Sequence, residues 1–369
     1  MKIGCLTSSR ADYGIYLPLL EKLKTDSFFE LEVIAFGTHL SPQHGFTVNE
    51  IEKGNFNNVH KISSLLSNDD QQSVSTSYGL TVIKFADFWQ NNTFDLVLCL
   101  GDRFEMNAAV QAGIPYNVKF AHFHGGETTL GAIDNIYRHQ ITAASDFHFT
   151  AAEGFSEKVA ELKGENKHIY TVGSLSLDNI DTIDFVPEPV FREKYKIHNN
   201  FVLVTFHSET VNAQENKKYA AEMAEALYKI ASKIDVVITM PNADTMGSLY
   251  REAIIKIQSQ LPDNIILIEN FGKQNYFSAM KYCSFMLGNT SSGIIEAASF
   301  GKYVVNVGDR QKGRLQSNNI INASFDAKAI EAAAVKVQER GNYNGENEYY
   351  KEDVALNIIT IIKNIYEEL

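Results

Sequence analysis

Two consecutive stretches decide the fold: Asp95-Leu96-Val97-Leu98-Cys99-Leu100-Gly101-Asp102-Arg103-Phe104-Glu105, and Val118-Lys119-Phe120-Ala121-His122-Phe123-His124-Gly125-Gly126-Glu127. Each opens as a short apolar run of the kind that forms a parallel strand buried on both faces. Each ends in a burst of ionisable side chains. In an open α/β sheet, ligands sit at the carboxyl ends of the strands. Core packing offers no reason to place Asp, Arg, His and Glu there, so the two strand ends mark a site. Asp134, Arg138 and His139 follow within a dozen residues and extend the same cluster.

Outward from this pair, short apolar runs alternate with segments of helical spacing. Residues 3–7 predict a strand and 16–24 a helix, with Leu17, Leu20 and Leu23 at helical spacing. Strands at 31–36, 96–100, 119–122 and 147–150 enclose helices at 74–89 and 133–144. The polar stretch 63–77 predicts a loop, a candidate lid. The alternation restarts with strands at 201–206, 235–240, 265–269, 285–287 and 303–307. Helices are expected at 220–232 and from near Ile294, and an amphipathic helix at 354–368 closes the chain. This pattern predicts an α/β protein of two Rossmann-like, doubly wound domains facing each other across an interdomain cleft. The expected boundaries are 1–175 for a domain carrying the charged cluster, 176–352 for a nucleotide-binding domain, and 353–369 for the closing helix. The acidic, proline-containing stretch 178–189 is the expected hinge.

Bulk properties narrow the function. At 369 residues the chain exceeds what one core usually supports, and 44% hydrophobic with 21% charged residues is ordinary globular composition. A net charge of −12 argues against nonspecific binding to nucleic acid, since no basic surplus neutralises phosphates. Cys5, Cys99 and Cys283 are odd in number, far apart and set in apolar runs, which predicts reduced, buried thiols. Residues 1–6 start directly as a strand, with no leader pattern, and no apolar run approaches the roughly 20 residues of a membrane span. The expectation is a cytoplasmic enzyme, associated with neither membrane nor nucleic acid.

Several strand ends in both halves carry polar groups. Gly288-Asn289-Thr290-Ser291-Ser292-Gly293 has the composition of a phosphate-binding turn at a helix start, or equally of a plain helix cap. Glu296, one turn on, is placed to accept from ribose hydroxyls or to sit solvated on the helix. Thr7-Ser8-Ser9-Arg10 lacks the glycine fingerprint of a dinucleotide site, but Arg10 suits a diphosphate. His207 follows a strand beside Ser208 and Glu209, and Gly308-Asp309-Arg310-Gln311-Lys312-Gly313-Arg314 gathers three cations at another strand end. No spacing among Asp102, His122, His124, Glu127, Asp134 and His139 names a metal, so no metal is expected. Paired carboxylates with nearby imidazoles suit proton transfer better, because the mutual repulsion of the carboxylates separates their pKa values into acid and base roles.

Together these motifs resemble the hydrolysing UDP-N-acetylglucosamine 2-epimerases, including the bacterial enzymes of sialic and legionaminic acid synthesis. The resemblance spans essentially the whole chain. It rests on Ser9-Arg10-Ala11-Asp12-Tyr13, on His39-Leu40 with Gly45, and on Gly101 to Glu105. His122 to Glu127, Asp134 with Arg138-His139, Phe206-His207, Gly288-Asn289 through Glu296, and Gly308 to Arg314 complete it. The family implies the two-domain glycosyltransferase-B type fold, with substrate in the interdomain cleft and the last helix crossing back to the N-terminal domain. Carried over by motif, Asp102, Asp134 and His207 match catalytic positions. Arg10, Arg103, Asn242, Thr290, Ser291, Glu296 and Arg310 match nucleotide-binding positions, with Arg138, Ser292 and Arg314 as further substrate-binding candidates.

Three departures stand out. The catalytic Glu of the animal enzyme falls on His124, which leaves either His124 or Glu127 to take its role. One additional residue separates this motif from Asp134, and Ser208 stands where proline is usual. Ser8 replaces the glycine of the family's first loop.

The resemblance implies removal of the C2 proton with loss of UDP to give a 2-acetamidoglucal. Water then adds at C1 while a proton returns to C2 from the other face. No redox cofactor is needed. The expected products are UDP and a free manno-configured N-acetyl sugar, from UDP-N-acetylglucosamine or a 2,4-diacetamido-6-deoxy analogue, with UDP or GDP as carrier. A homodimer or homotetramer is expected. Competing readings are a non-hydrolysing epimerase, a glycosyltransferase of the same fold, and a non-catalytic nucleotide-sugar-binding regulator.

Overall fold

The computed structural model describes residues 1–68, 70–178, 180, 183–209, 211, 213–241 and 246–366. Two compact units divide the chain. The first comprises Met1–Glu127, Asp134–Asn179 and Tyr349–Leu369, and the second Thr128–Ile133 and Ile180–Glu348.

The first unit holds a seven-stranded sheet of β1 (Lys2–Thr7), β2 (Glu30–Phe36), β3 (Asn58–Ile62), β4 (Leu96–Leu100), β5 (Phe120–Phe123), β6 (Phe147–Thr150) and β7 (Ile169–Thr171). The spatial order is β3-β2-β1-β4-β5-β6-β7 and every pairing is parallel. β4, β5 and β6 are buried along their whole length, as strands covered on both faces must be. Helices α1 (Arg10–Thr25), α2 (Val48–Lys53), α3 (Gln71–Asn91), α4 (Phe104–Gly113), α5 (Asp134–Ala144) and α6 (Glu153–Lys163) connect them. The order reverses between β1 and β4, which makes their carboxyl ends the switch-point crevice of this sheet.

The second unit repeats the plan with α7 (Glu188–Tyr195), β8 (Phe201–Thr205), α8 (Asn216–Ala231), β9 (Asp235–Thr239), α9 (Gly247–Gln260) and β10 (Ile265–Ile268). It continues through α10 (Gly272–Tyr282), β11 (Met286–Gly288), α11 (Ser291–Ile295), β12 (Val304–Val307), β13 (Ile320–Ala323) and α12 (Ala327–Arg340). Its six parallel strands lie in the order β10-β9-β8-β11-β12-β13, with the switch point between β8 and β11. Both domains are doubly wound α/β sheets. The last helix, α13 (Val354–Ile365), belongs to the first unit. Its Val354, Ala355, Ile358, Ile359, Ile362 and Ile365 join one core with Leu19, Leu20 and Leu23 of α1. Full burial of each aliphatic side chain is worth roughly 1.5–3 kcal/mol, so this face fixes the helix to its unit.

Local chemistry moves several expected boundaries. Helix α1 begins at Arg10, six residues before the expected start, because Ser9 and Asp12 form a reciprocal capping box. The expected loop at 63–77 ends early, since Asp70 accepts from the Ser73 amide at 2.9 Å and starts α3 at Gln71. The helix expected from near Ile294 starts at Ser291, capped by Thr290. Within the expected hinge, residues 179, 181 and 182 lie outside the described residues. At its ends Asp178 is buried and accepts from the Ala355 amide at 3.0 Å, while Glu188 and Pro189 already belong to α7. The described part of the closing helix ends at Tyr366, and residues 367–369 are not described. All three cysteines are free and buried, and burial pushes the thiols of Cys99 and Cys283 up to about 12. Among the described residues, no helix is long and apolar enough to cross a membrane.

Candidate active site

In the first unit, Asp102 lies just beyond β4 and His124 just beyond β5. The turn after His124 is tight. Gly126 has φ +76°, and a Cβ there would stand 2.2 Å from the Phe155 carbonyl oxygen, so only glycine fits. That turn brings residues three apart together, with His124 Nδ1 2.6 Å from Glu127 Oε1. Arg138, one helical turn after Asp134 on α5, is 1% exposed and joins the pieces. Its guanidinium donates to the His124 carbonyl at 2.8 Å and to Asp102 Oδ2, and lies 3.9 Å from Glu127 Oε2. A buried cation held between two carboxylates ties their positions together through charge-assisted contacts. Asp102, His124, Glu127 and Arg138 thus form one cluster, and Asp134 opens the helix that carries Arg138.

Two further histidines of this unit are held by hydrogen bonds within the protein. His122 is fully buried, with Nε2 2.8 Å from the Gly101 carbonyl and Nδ1 3.0 Å from Thr142 Oγ1. The carbonyl requires a proton on Nε2, so Nδ1 accepts from the hydroxyl and the ring is neutral. Burial pushes its pKa down to about 3. His39 is held likewise between Thr7 and Thr47 at 2.9 and 2.8 Å, and burial pushes it down to about 4. His139 faces Asn135 at 3.2 Å. Arg103 donates to buried Glu105 at 3.0 Å, and burial pushes that carboxyl up against the lowering effect of Arg103. Arg10 is the first residue of α1, directly after the capping Ser9.

In the second unit the centre is Asn289, directly after β11 and fully buried. Its Oδ1 accepts from the His207 amide at 2.7 Å and its Nδ2 donates to the His207 carbonyl at 2.9 Å. Its own carbonyl accepts from Arg310 Nη1 at 3.2 Å and from Gln311 Nε2 at 2.8 Å. One amide residue therefore locks together the strand end bearing His207 and the loop bearing Arg310. Gly288 makes this possible: a Cβ there would stand 1.8 Å from the Thr205 carbonyl oxygen of the neighbouring strand. Glu209 accepts from the Asp309 and Arg310 amides at 2.6 and 3.1 Å, and burial raises its pKa although those two amides oppose the shift.

The expected phosphate turn exists as a strand-to-helix junction, with Thr290 Oγ1 accepting from the Ser292 amide at 3.4 Å. Ser291 and Ser292 are the first two residues of α11, which spans only five residues and ends in a C-cap at Glu296. Glu296 is buried and accepts from the Ser292 hydroxyl. Lys312 faces Asp309 at the surface, and Arg314 lines, with Tyr219, Asn306 and Asn322, a cavity of about 580 Å³. Asn242 lies outside the described residues. Asn289, Gln311 and Glu209 stand within the motifs read from the sequence, but no role was assigned to them there. Their signal was positional, since all three lie just beyond strands next to the switch point or in the loop it supports. Among the described residues, no three His, Cys, Asp or Glu side chains are grouped to hold a metal ion.

Two doubly wound parallel-sheet domains, each with polar groups at its strand ends, form a fold of the glycosyltransferase-B type. Residues 21–363 match the family described as UDP-N-acetylglucosamine 2-epimerase, and the chain belongs to that family. It is 34% identical over 327 residues to the GDP/UDP-N,N'-diacetylbacillosamine 2-epimerase (hydrolyzing) of Campylobacter jejuni, covering 88% of this chain and 85% of that protein. It is 33% identical to the UDP-N,N'-diacetylbacillosamine 2-epimerase (hydrolyzing) of Legionella pneumophila, covering 89% of this chain and 86% of that protein. Among solved structures, the UDP-GlcNAc 2-epimerase of Neisseria meningitidis bound to UDP-GlcNAc superposes with a TM-score of 0.81. That match has 15% identity and covers 99% of this chain and all of that one. A Staphylococcus aureus MnaA–UDP structure gives 0.81 at 17% identity, covering 100% of this chain and 97% of that one.

Proposed function

We propose that this enzyme is a hydrolysing UDP-sugar 2-epimerase, releasing UDP and a free manno-configured N-acetyl sugar. The observation that carries the reading is the cluster at the ends of β4 and β5, where Arg138 joins Asp102, Glu127 and His124. Inverting C2 requires a group that takes the proton on one face of the ring and one that returns it on the other. Asp102, His124, Glu127 and Asp134 are the proton-handling candidates. Arg138 balances their charge. The nucleotide falls to the second unit, with Thr290, Ser291, Ser292, Glu296, Arg310 and Arg314 of the loops near His207. Cationic and dipolar groups near the diphosphate stabilise the departing UDP. Between the two substrates, the names carried by the Campylobacter and Legionella relatives favour the 2,4-diacetamido-6-deoxy sugar nucleotide.

The experiment incubates the purified chain separately with UDP-N-acetylglucosamine and UDP-N,N'-diacetylbacillosamine, then quantifies UDP and the sugar products. The expected result is UDP and a free 2-epimeric sugar, formed faster from the diacetamido substrate. A 2-epimer still attached to UDP would make the enzyme non-hydrolysing. UDP release that requires an added acceptor would make it a glycosyltransferase, and no turnover of either substrate would overturn the proposal.

A further inference from the structure

Within the charged cluster, His124 and Glu127 are not equivalent. Glu127 is 0% exposed, with one oxygen on His124 Nδ1 at 2.6 Å and the other 3.9 Å from the Arg138 guanidinium. Both oxygens are thereby turned into the protein. His124 has Nδ1 committed to this carboxylate, so Nε2 is the nitrogen left to meet a ligand. Its backbone is in the left-handed region, φ +62°, which costs a non-glycine residue about 1–2 kcal/mol. Two bonds hold it there: its amide donates to the Phe149 carbonyl at 3.1 Å, and its carbonyl accepts from Arg138 at 2.8 Å. Strain of this kind persists where the surroundings over-determine it, and it is concentrated at functional positions.

We infer that His124 is a catalytic residue, transferring the C2 proton through Nε2, and that Glu127 is a positioning residue acting only through the imidazole. This assignment rests on the proposed epimerase reaction. A carboxylate on Nδ1 fixes the tautomer with a lone pair on Nε2 and stabilises the imidazolium that forms. Arg138 lies 3.9 Å from the other Glu127 oxygen and at the same time binds Asp102 through its second nitrogen. In the elimination step Nε2 takes the hydrogen from C2 as a proton. The C–H electron pair becomes the C1–C2 double bond, and the C1–O pair leaves with UDP. Imidazolium and carboxylate are left as a charge pair. The carboxylate side chain expected from the family is thus replaced by a two-residue device built from His124 and the glutamate three positions on.

A double-mutant cycle tests this on the full chain, with UDP release from both sugar nucleotides as the readout and UDP affinity by calorimetry as the check on folding. Glu127→Gln keeps an acceptor for Nδ1 and removes the charge. It should lower kcat by about 10²-fold with KM and UDP affinity unchanged. His124→Ala should lower kcat by about 10³-fold or more. Adding Glu127→Gln to His124→Ala should cost less than about threefold further, because the effects of coupled neighbours do not add. Imidazole in the buffer should partly rescue His124→Ala but not the double variant. Additive losses, or a His124→Ala variant that keeps its kcat, would overturn the inference and give the proton to Glu127. If the wild-type chain turns over neither substrate, the proposed reaction fails, and the dyad is still readable by 1H–15N correlation of the imidazoles. A His124 ring protonated on Nδ1, and shifted by Glu127→Gln, supports the pairing. A ring protonated on Nε2, or one unaffected by the substitution, contradicts it.

Discussion

The polar strand ends of the two units are built from different materials. In the first unit, charged side chains meet one another directly: Asp102, Arg138, Glu127 and His124 lie in a chain of ionic contacts. In the second, a neutral amide, Asn289, binds backbone groups of His207 and receives Arg310 and Gln311 on its own carbonyl. The contrast follows from what each must do on the proposed reading. Proton transfer needs groups whose charge state is set by neighbours in a low-dielectric site. Holding a nucleotide needs loops held in shape, and hydrogen bonds to backbone do that without titrating.

The largest expected effect comes from removing the ion that joins the first cluster. Arg138→Met leaves the buried Glu127 and the half-buried Asp102 without their shared cation, and should destabilise the first unit by about 3–5 kcal/mol as well as abolish UDP release. Urea denaturation with a probe in each unit checks whether the loss is confined to the first. Asp102→Asn removes charge with little change of shape, and should lower kcat by about 10³-fold while leaving UDP affinity intact. If calorimetry shows lost UDP affinity instead, the division of labour between the two regions breaks.

Acid should separate the regions next. His39, His122 and His148 of the first unit are pushed down to about 4, 3 and 3, each chiefly by burial. The unfolded chain, with histidine near its ordinary value of about 6.5, binds more protons than the folded one below that pH. Their contribution is therefore fully present above about pH 6.5 and falls as pH drops toward 4, at up to about 1.4 kcal/mol per pH unit for each. In the second unit, the raised carboxyl of Glu209 runs the other way, weakening that unit as pH rises through its titration. Hydrogen exchange between pH 7 and 4.5 should show the first unit opening before the second, and simultaneous opening would contradict this. The smallest of these effects is expected for Asn289→Ala, about 2 kcal/mol from the second unit with a tenfold or larger loss of UDP affinity. An unchanged affinity would remove Asn289 as the organiser of that loop.

How much of this was legible beforehand differs between the regions in the same way. Ionisable residues at the ends of β4 and β5 declare themselves, because apolar runs seldom end in Asp, Arg and His without cause. The alternation of strands and helices was equally plain, down to the closing helix with its isoleucine-rich face. The function of Asn289 was not legible, since an asparagine after Gly288 has the composition of any turn. Its importance comes from what the strand order brings beside it. The roles of His122 and His39 were hidden for a related reason. A histidine that binds a carbonyl and a threonine, or two threonines, differs from a catalytic one only in its surroundings. The early starts of α1 and α3 were written in the Ser9–Asp12 box and in Asp70, but capping residues also occur in loops.

The central claim is that the first-unit cluster breaks and remakes the C2–H bond as UDP is lost. Running the reaction in deuterated water and following the released sugar by proton NMR tests it most directly. The account predicts that every released molecule is manno-configured and carries deuterium at C2, and that Asp102→Asn and His124→Ala suppress that incorporation together with UDP release. Free sugar that retains its original hydrogen at C2 would contradict it.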